Sequence, residues 1–171
     1  MVAHSPPAEL TLAARARRGA RAGLAAVLAA LFCRAFVLEI RVVAGDSMSP
    51  ALLAGDRVLV DRLVYRGPAA LAGLLPVRDV RPGDVVLFRS PEDGRTALLK
   101  RCVAVPGDAV PGGAVPAGAL YLVGDRRHDS RDSRAFGPVA RGAVIGRAVA
   151  VLGSFAPGDG PRWSRSFRAV E

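Results

Sequence analysis

A mainly β, antiparallel domain behind one apolar N-terminal helix is the fold class this sequence predicts, and three observations predict it. Beyond Arg41, short runs rich in Val and Leu recur beside Gly-Asp turns. No helical spacing of apolar residues follows the first 40 positions, so these runs have only each other to pair with. Ahead of them, Ala22 to Leu38 is apolar apart from Arg34.

Taken in order, residues 1–18 form a polar, basic tail in which Arg15, Arg17 and Arg18 stand before the apolar run, followed by Arg21. Residues 19–38 are the candidate transmembrane anchor. The 17 residues from Ala22 to Leu38 make about 25 Å of helix at about 1.5 Å per residue, slightly short of a hydrocarbon core of about 30 Å. Arg34 stands near the far end, where a long side chain snorkels to the interface. Arginines ahead of the run favour a cytoplasmic N-terminus and place everything after it on the outer side of a cell membrane, crossed once. A cleaved signal peptide would share the basic start, but no small-x-small site closes the run, which passes through Leu31, Phe32 and Cys33. A soluble buried helix is the other reading of an Ala-rich, interrupted segment.

Residues 41–153 hold the strands. Arg57 to Val60 follows Gly55-Asp56, Val85 to Phe88 follows Pro82-Gly83-Asp84, and Leu98 to Val105 ends at Pro106-Gly107-Asp108; Ala119 to Val123 and Ala143 to Leu152 complete the set. Their irregular spacing suits a sandwich or partly open barrel. Ala69 to Leu75, between Pro68 and Pro76, is either a loop folded on the core or a flap against the bilayer. Residues 154–171, rich in Gly, Pro, Ser and Arg, are expected to be loosely ordered.

The net charge of +9 arises from 24 basic and 15 acidic side chains. Anionic lipid, nucleic acid and a merely arginine-prone composition each account for such an excess, and no basic run interleaved with aromatics supports nucleic acid. Cys33 and Cys102 are too few and too far apart for a zinc site or a disulfide framework, so two unpaired, buried thiols are the default; no metal and no cofactor are expected.

Lys100 is the single lysine among those 24 basic residues. Arginine does not give up its proton in a protein, whereas burial among apolar neighbours can neutralise a lysine amine. Leu98 and Leu99 precede Lys100 and Cys102 and Val103 follow it, while Arg101 alternates to the other face of the strand. In Gly45-Asp46-Ser47-Met48-Ser49-Pro50, a tight turn after Val42-Val43-Ala44 exposes a serine hydroxyl. Alone, such a serine is a turn residue; with a neutral lysine it has a general base. The run from Gly124 to Arg134 is either a solvated charged loop or an interlocked polar network able to fix the lysine.

Together these segments resemble the type I signal peptidases, membrane-anchored serine endopeptidases that use a Ser-Lys dyad. Gly-Asp-Ser-Met-Ser-Pro carries the family's Ser-Met-x-Pro, with Leu52 and Gly55-Asp56 following; Lys100-Arg101 with Pro106-Gly107-Asp108 matches the Lys-Arg box; Gly124-Asp125 through Ser130-x-Asp132-Ser133-Arg134 matches the third. The resemblance implies a signal-peptidase-type antiparallel β-sheet catalytic domain, with preprotein signal peptides and membrane lipid as partners. It implies Ser47 as nucleophile, Lys100 as general base, Ser130 orienting the amine, an Asp132–Arg134 ion pair beneath the site, the Ser47 amide as oxyanion donor, and Val43, Leu52 and Leu99 lining pockets for small residues.

Three departures stand out. Gly45 occupies a position where some members place a serine, Arg126 replaces the usual Asn, and only 15 residues separate Asp108 from Gly124, where many members carry a long β insertion. A short form, general or dedicated to one substrate, is the expectation. Ser47-His128-Asp132 is a competing triad, and a catalytically silent peptide-binding domain a competing class; the latter requires Ser47 and Lys100 to lie apart.

Overall fold

A computed structural model of the chain describes residues 17–28, 37–65, 77–156, 158 and 160–170. The chain divides into a unit up to Val37 and a second from Leu38 onward. In the first, residues 17–28 form a helix, α1. Among the described residues no helix is long and apolar enough to cross a membrane. Much of the remaining candidate anchor, residues 29–36, and the Ala69 to Leu75 segment lie outside the described residues.

The second unit is mainly β. Its strands are β1 (Leu38–Val42), β2 (Asp56–Asp61), β3 (Val85–Arg89), β4 (Ala97–Ala104), β5 (Ala109–Val110), β6 (Gly113–Ala114), β7 (Ala119–Val123), β8 (Val139–Ala140), β9 (Val144–Ala156), β10 (Gly160–Pro161) and β11 (Arg168–Ala169). One antiparallel sheet runs β1-β2-β9-β3-β4-β7-β8, with β10 and β11 also on β9, and β5-β6 forms a separate hairpin. The longest strand, β9, serves two neighbours: residues up to Arg147 pair with β3, and Arg147 to Ser154 pair with β2. Bulges at Arg57/Val58, Leu59/Val60 and Leu87/Phe88 bend these ladders, so the sheet curls instead of lying flat. Gly146 allows a close approach between β9 and the end of β2, because a Cβ there would stand 2.4 Å from the Asp61 carbonyl.

Apolar runs that are buried on both faces explain the core. In β3, Val85 and Leu87 join a cluster with Val43, Met48, Leu52 and Val58, while Val86 and Phe88 point into another with Cys102, Leu122 and Val139. Burial alternates along β4 at Lys100, Cys102 and Ala104, with Val103 exposed.

The tail departs from its expected looseness. β11 pairs with β9, Val170 is buried, and Arg165 forms an ion pair with fully buried Asp56. Arg165 also donates to the Ala51 carbonyl at 3.0 Å, and Arg162 donates to the carbonyl of Ala54. A polar, Gly- and Pro-rich composition conceals order here because the fixing contacts are to β9 and, for Arg162 and Arg165, to residues 108 to 114 positions away.

Candidate active site

Ser47 sits on a turn between β1 and β2 whose ends are tied: Val43 N–H donates to the Asp56 carbonyl at 2.9 Å and Gly55 N–H to the Val43 carbonyl at 2.8 Å. Within it, Ser49 N–H donates to Asp46 and Leu52 N–H to Met48, and the Met48 side chain is sunk in the core. A buried side chain next to the serine fixes the turn while leaving Ser47 partly exposed.

Lys100 reaches Ser47 from β4. Its Nζ donates to Ser47 Oγ at 2.6 Å, and the residue is 3% exposed. Burial pushes its amine below the ordinary lysine value; the Asp132 charge opposes that shift, Arg134 adds to it, and Asp125 opposes it. Arg101 turns away: its guanidinium forks onto both Asp125 oxygens at 2.8 Å and onto the Gly83 carbonyl.

The loop from Gly124 to Arg134 forms an interlocked polar network, but among the described residues Lys100 Nζ is bound by Ser47 Oγ and not by Ser130. Asp132, fully buried, accepts from Gly124 N–H at 2.9 Å, Ser130 Oγ at 2.6 Å, and Arg134 Nε and Nη2 at 2.8 and 2.7 Å. Burial by itself would raise this carboxyl; Arg134, the Gly124 amide and Ser130 outweigh it and hold the carboxyl well below the ordinary range. Asp132 also caps α2 (Ser133–Phe136), and Ser133 accepts from Leu122 N–H at 2.9 Å. Ser130 spends its proton on Asp132, so towards Lys100 it can offer only oxygen lone pairs.

Two contacts join this loop to the serine turn, and neither was singled out in the sequence. Arg126 N–H donates to the Ser47 carbonyl at 3.0 Å. Gly124 lies so close that a Cβ would meet Ser130 Oγ at 2.2 Å and the Ser47 carbonyl at 2.6 Å. A glycine directly after an apolar strand is the signal that marks such an approach. The departure at Arg126 is harmless to this contact, since the backbone makes it and the side chain only pairs with Asp129 in solvent.

Beside the Ser47–Lys100 pair a cleft of about 260 Å³ is walled by Val43, Gly45, Met48 and Leu99. Of the three residues expected to line substrate pockets, Val43 and Leu99 are on this wall. Leu52 is not: it is fully buried in the core and absent from the cleft wall, because the turn that exposes Ser47 points Leu52 inward with Met48. His128 is exposed on a 3₁₀ turn (Arg127–Asp129), while Asp132 is already engaged by Arg134, Gly124 and Ser130.

Residues 16–112 and 110–153 match the family described as signal peptidase, peptidase S26. Mitochondrial inner membrane protease subunit 2 of Schizosaccharomyces pombe is 30% identical over 139 residues, 73% of this chain and 70% of that protein. Signal peptidase I of Pseudomonas aeruginosa is 37% identical over 80 residues, 46% of this chain and 28% of that enzyme. A mitochondrial ATP-independent inner membrane protease subunit 1b of Arabidopsis thaliana is 34% identical over 120 residues, 61% of this chain and 64% of that protein. The chain thus spans little more than a quarter of the bacterial enzyme and about two thirds of the mitochondrial subunits. The chain belongs to the signal peptidase family, peptidase S26.

Proposed function

We propose that this protein is a membrane-bound serine endopeptidase that removes signal peptides from exported preproteins with Ser47 as nucleophile and Lys100 as general base. The observation that carries the reading is the 2.6 Å contact between Lys100 Nζ and Ser47 Oγ, made by a buried amine whose proton affinity is lowered by desolvation. With the amine neutral, the bond reverses: Ser47 donates, and Lys100 takes the proton as Oγ attacks the scissile carbonyl carbon. The Ser47 N–H stabilises the oxyanion. The lysine ammonium then protonates the departing amine, and the neutral amine next activates water to hydrolyse the acyl-enzyme. Asp132 and Arg134 are positioning residues here, holding Ser130 and the Gly124 amide against the serine turn. Val43 and Leu99 form the shallow walls that admit small residues before the cut.

Membrane lipid as a partner draws support from one surface of the β unit. Ile40 and Val42, on one face of β1, are 58% and 63% exposed, and they share a concavity with Trp163 and Phe167, exposed by 75% and 84%. Aromatic and aliphatic groups gathered beside Arg57 suit an interface of acyl chain and headgroup. The cell membrane, crossed once with the β unit outside, remains the proposed location. The silent binding-domain reading needed Ser47 and Lys100 apart, and their contact favours the enzyme.

Lys100→Arg keeps the charge and nearly the length while removing the transferable proton. Incubated in detergent with an Ala-x-Ala precursor, it should lose about 10²- to 10⁴-fold in turnover, as should Ser47→Ala, with an unchanged circular dichroism spectrum. Substantial cleavage by Lys100→Arg would sink the dyad.

A further inference from the structure

A second cavity, of about 330 Å³, also opens on Ser47 and Lys100, and its remaining walls include Ser90, Glu92, Thr96 and Arg131. The two cavities share only Ser47, Leu98 and Lys100. Their chemistry differs sharply. The first is walled by Val43, Met48 and Leu99, the second by hydroxyls and an ion pair. A peptide whose scissile carbonyl rests on Ser47 Oγ must extend to both sides of that atom, with the acyl part on one and the leaving amine on the other. If small apolar residues precede the cut, the polar cavity is left for the residues on its far side.

Arg131 is the group there with binding capacity to spare. Its Nε and Nη2 fork onto Glu92 at 2.5 to 2.9 Å, while Nη1 has no partner among the described residues, and the side chain is 74% exposed. Both Glu92 oxygens are already taken by this fork, so its charge is largely compensated. Asp93 is committed elsewhere: it accepts the Arg95 and Thr96 amides and the Thr96 hydroxyl, which closes the β3–β4 turn. An incoming carboxylate could bind Nη1 directly or exchange with Glu92 on the fork, whereas an incoming ammonium would have to displace Arg131 to reach Glu92.

We infer that this cavity receives the first residues released from the precursor and that Arg131 favours an acidic side chain at the first or second position after the cut. The inference rests on the peptidase reading above for its orientation. Arg131 lies between Ser130 and Asp132 in sequence but points away from the Asp132 cluster, so its effect is on selection and not on the base.

The test uses precursor peptides identical except for Asp, Ser or Lys at the first or second position after the cut. kcat/KM is compared for wild type, Arg131→Ala, Arg131→Lys and Glu92→Gln, with thermal unfolding as a folding control. At one of the two positions wild type should prefer Asp to Lys by about three- to five-fold, the range expected of an exposed ion pair. Arg131→Ala should erase the preference, Arg131→Lys restore part of it, and Glu92→Gln, by removing the competing carboxylate, enlarge it. Fluorescence anisotropy of the same peptides on Ser47→Ala reads the preference without turnover. A preference in binding that depends on Arg131, with no cleavage by wild type, upholds the subsite and sinks the peptidase reading. Equal handling of Asp and Lys by wild type, or a preference that survives Arg131→Ala, overturns the subsite.

Discussion

Asp132 and Asp56 are built to the same recipe, Asp56 at the end of the Ser47 turn and Asp132 in the loop whose Gly124 approaches the Ser47 carbonyl. Each carboxylate is fully buried, and each receives one guanidinium, one serine hydroxyl and one or more backbone amides: Arg134, Ser130 and Gly124 for Asp132; Arg165, Ser154 and Leu53 for Asp56. They differ in reach. Arg134 and Ser130 each lie two residues from Asp132, whereas Ser154 and Arg165 lie 98 and 109 residues from Asp56. They differ also in wetness, since the Arg134 side chain is 37% exposed and that of Arg165 only 14%. One cluster is a loop folding on itself within range of the lysine. The other staples the chain end to the turn that carries the serine, so the first should govern the proton and the second the fold.

The same substitution in each cluster breaks this comparison most directly. Arg165→Met leaves a buried carboxylate without its cation and also frees the Ala51 carbonyl, and it should cost about 3 kcal/mol in urea unfolding. Arg134→Met removes a cation that water partly replaces, and its midpoint should move by less than half as much. Equal shifts would mean that neither the burial of the cation nor the span of chain it ties sets the strength of these clusters.

Legibility followed the same division. The strand runs, the Ser47 turn, the Lys100 strand and the Asp132–Arg134 pair were all readable, because each is carried by residues close together in the chain or by a match of whole motifs. The order of the tail was hidden, because the partners of Arg165, Arg162 and Val170 are decided by the path of β9 past β2 and by nothing near them in sequence. Leu52 was misplaced for a related reason: the family motif names a position, but the facing of a residue in an irregular turn is settled by which side chain the core takes. Gly124 and Arg126 act through backbone, which a reading of side-chain chemistry passes over.

A pH profile sharpens the comparison with a smaller effect. On the proposed mechanism Lys100 works as the neutral amine, so turnover falls as pH drops through its pKa. Burial lowers that pKa and Asp132 raises it. Asp132→Asn therefore removes a charge that favours the ammonium, and the acid limb of kcat/KM should move to lower pH, with turnover at the optimum down by less than about ten-fold. Asp56→Asn should lower the melting temperature and leave the limb in place, since Asp56 is not among the charges that shift Lys100. A limb that moves in both variants, or in neither, would remove the division between a cluster for the proton and a cluster for the fold.

The smallest effect belongs to Arg126. The Arg126 side chain is 51% exposed and pairs with Asp129, itself 61% exposed, while its N–H supports the Ser47 carbonyl whatever side chain it carries. Arg126→Asn, which installs the residue usual at this position, should change stability by no more than about 0.5 kcal/mol and turnover by no more than about two-fold. Arg126→Pro deletes the N–H along with the side chain that Asn also lacks, at a φ of −87° close to proline's own, and should instead reduce turnover by at least about ten-fold, visible in kcat more than in KM, because the Ser47 carbonyl loses its donor. If Asn proved as damaging as Pro, the guanidinium and not the backbone would be what joins the Asp132 loop to the serine.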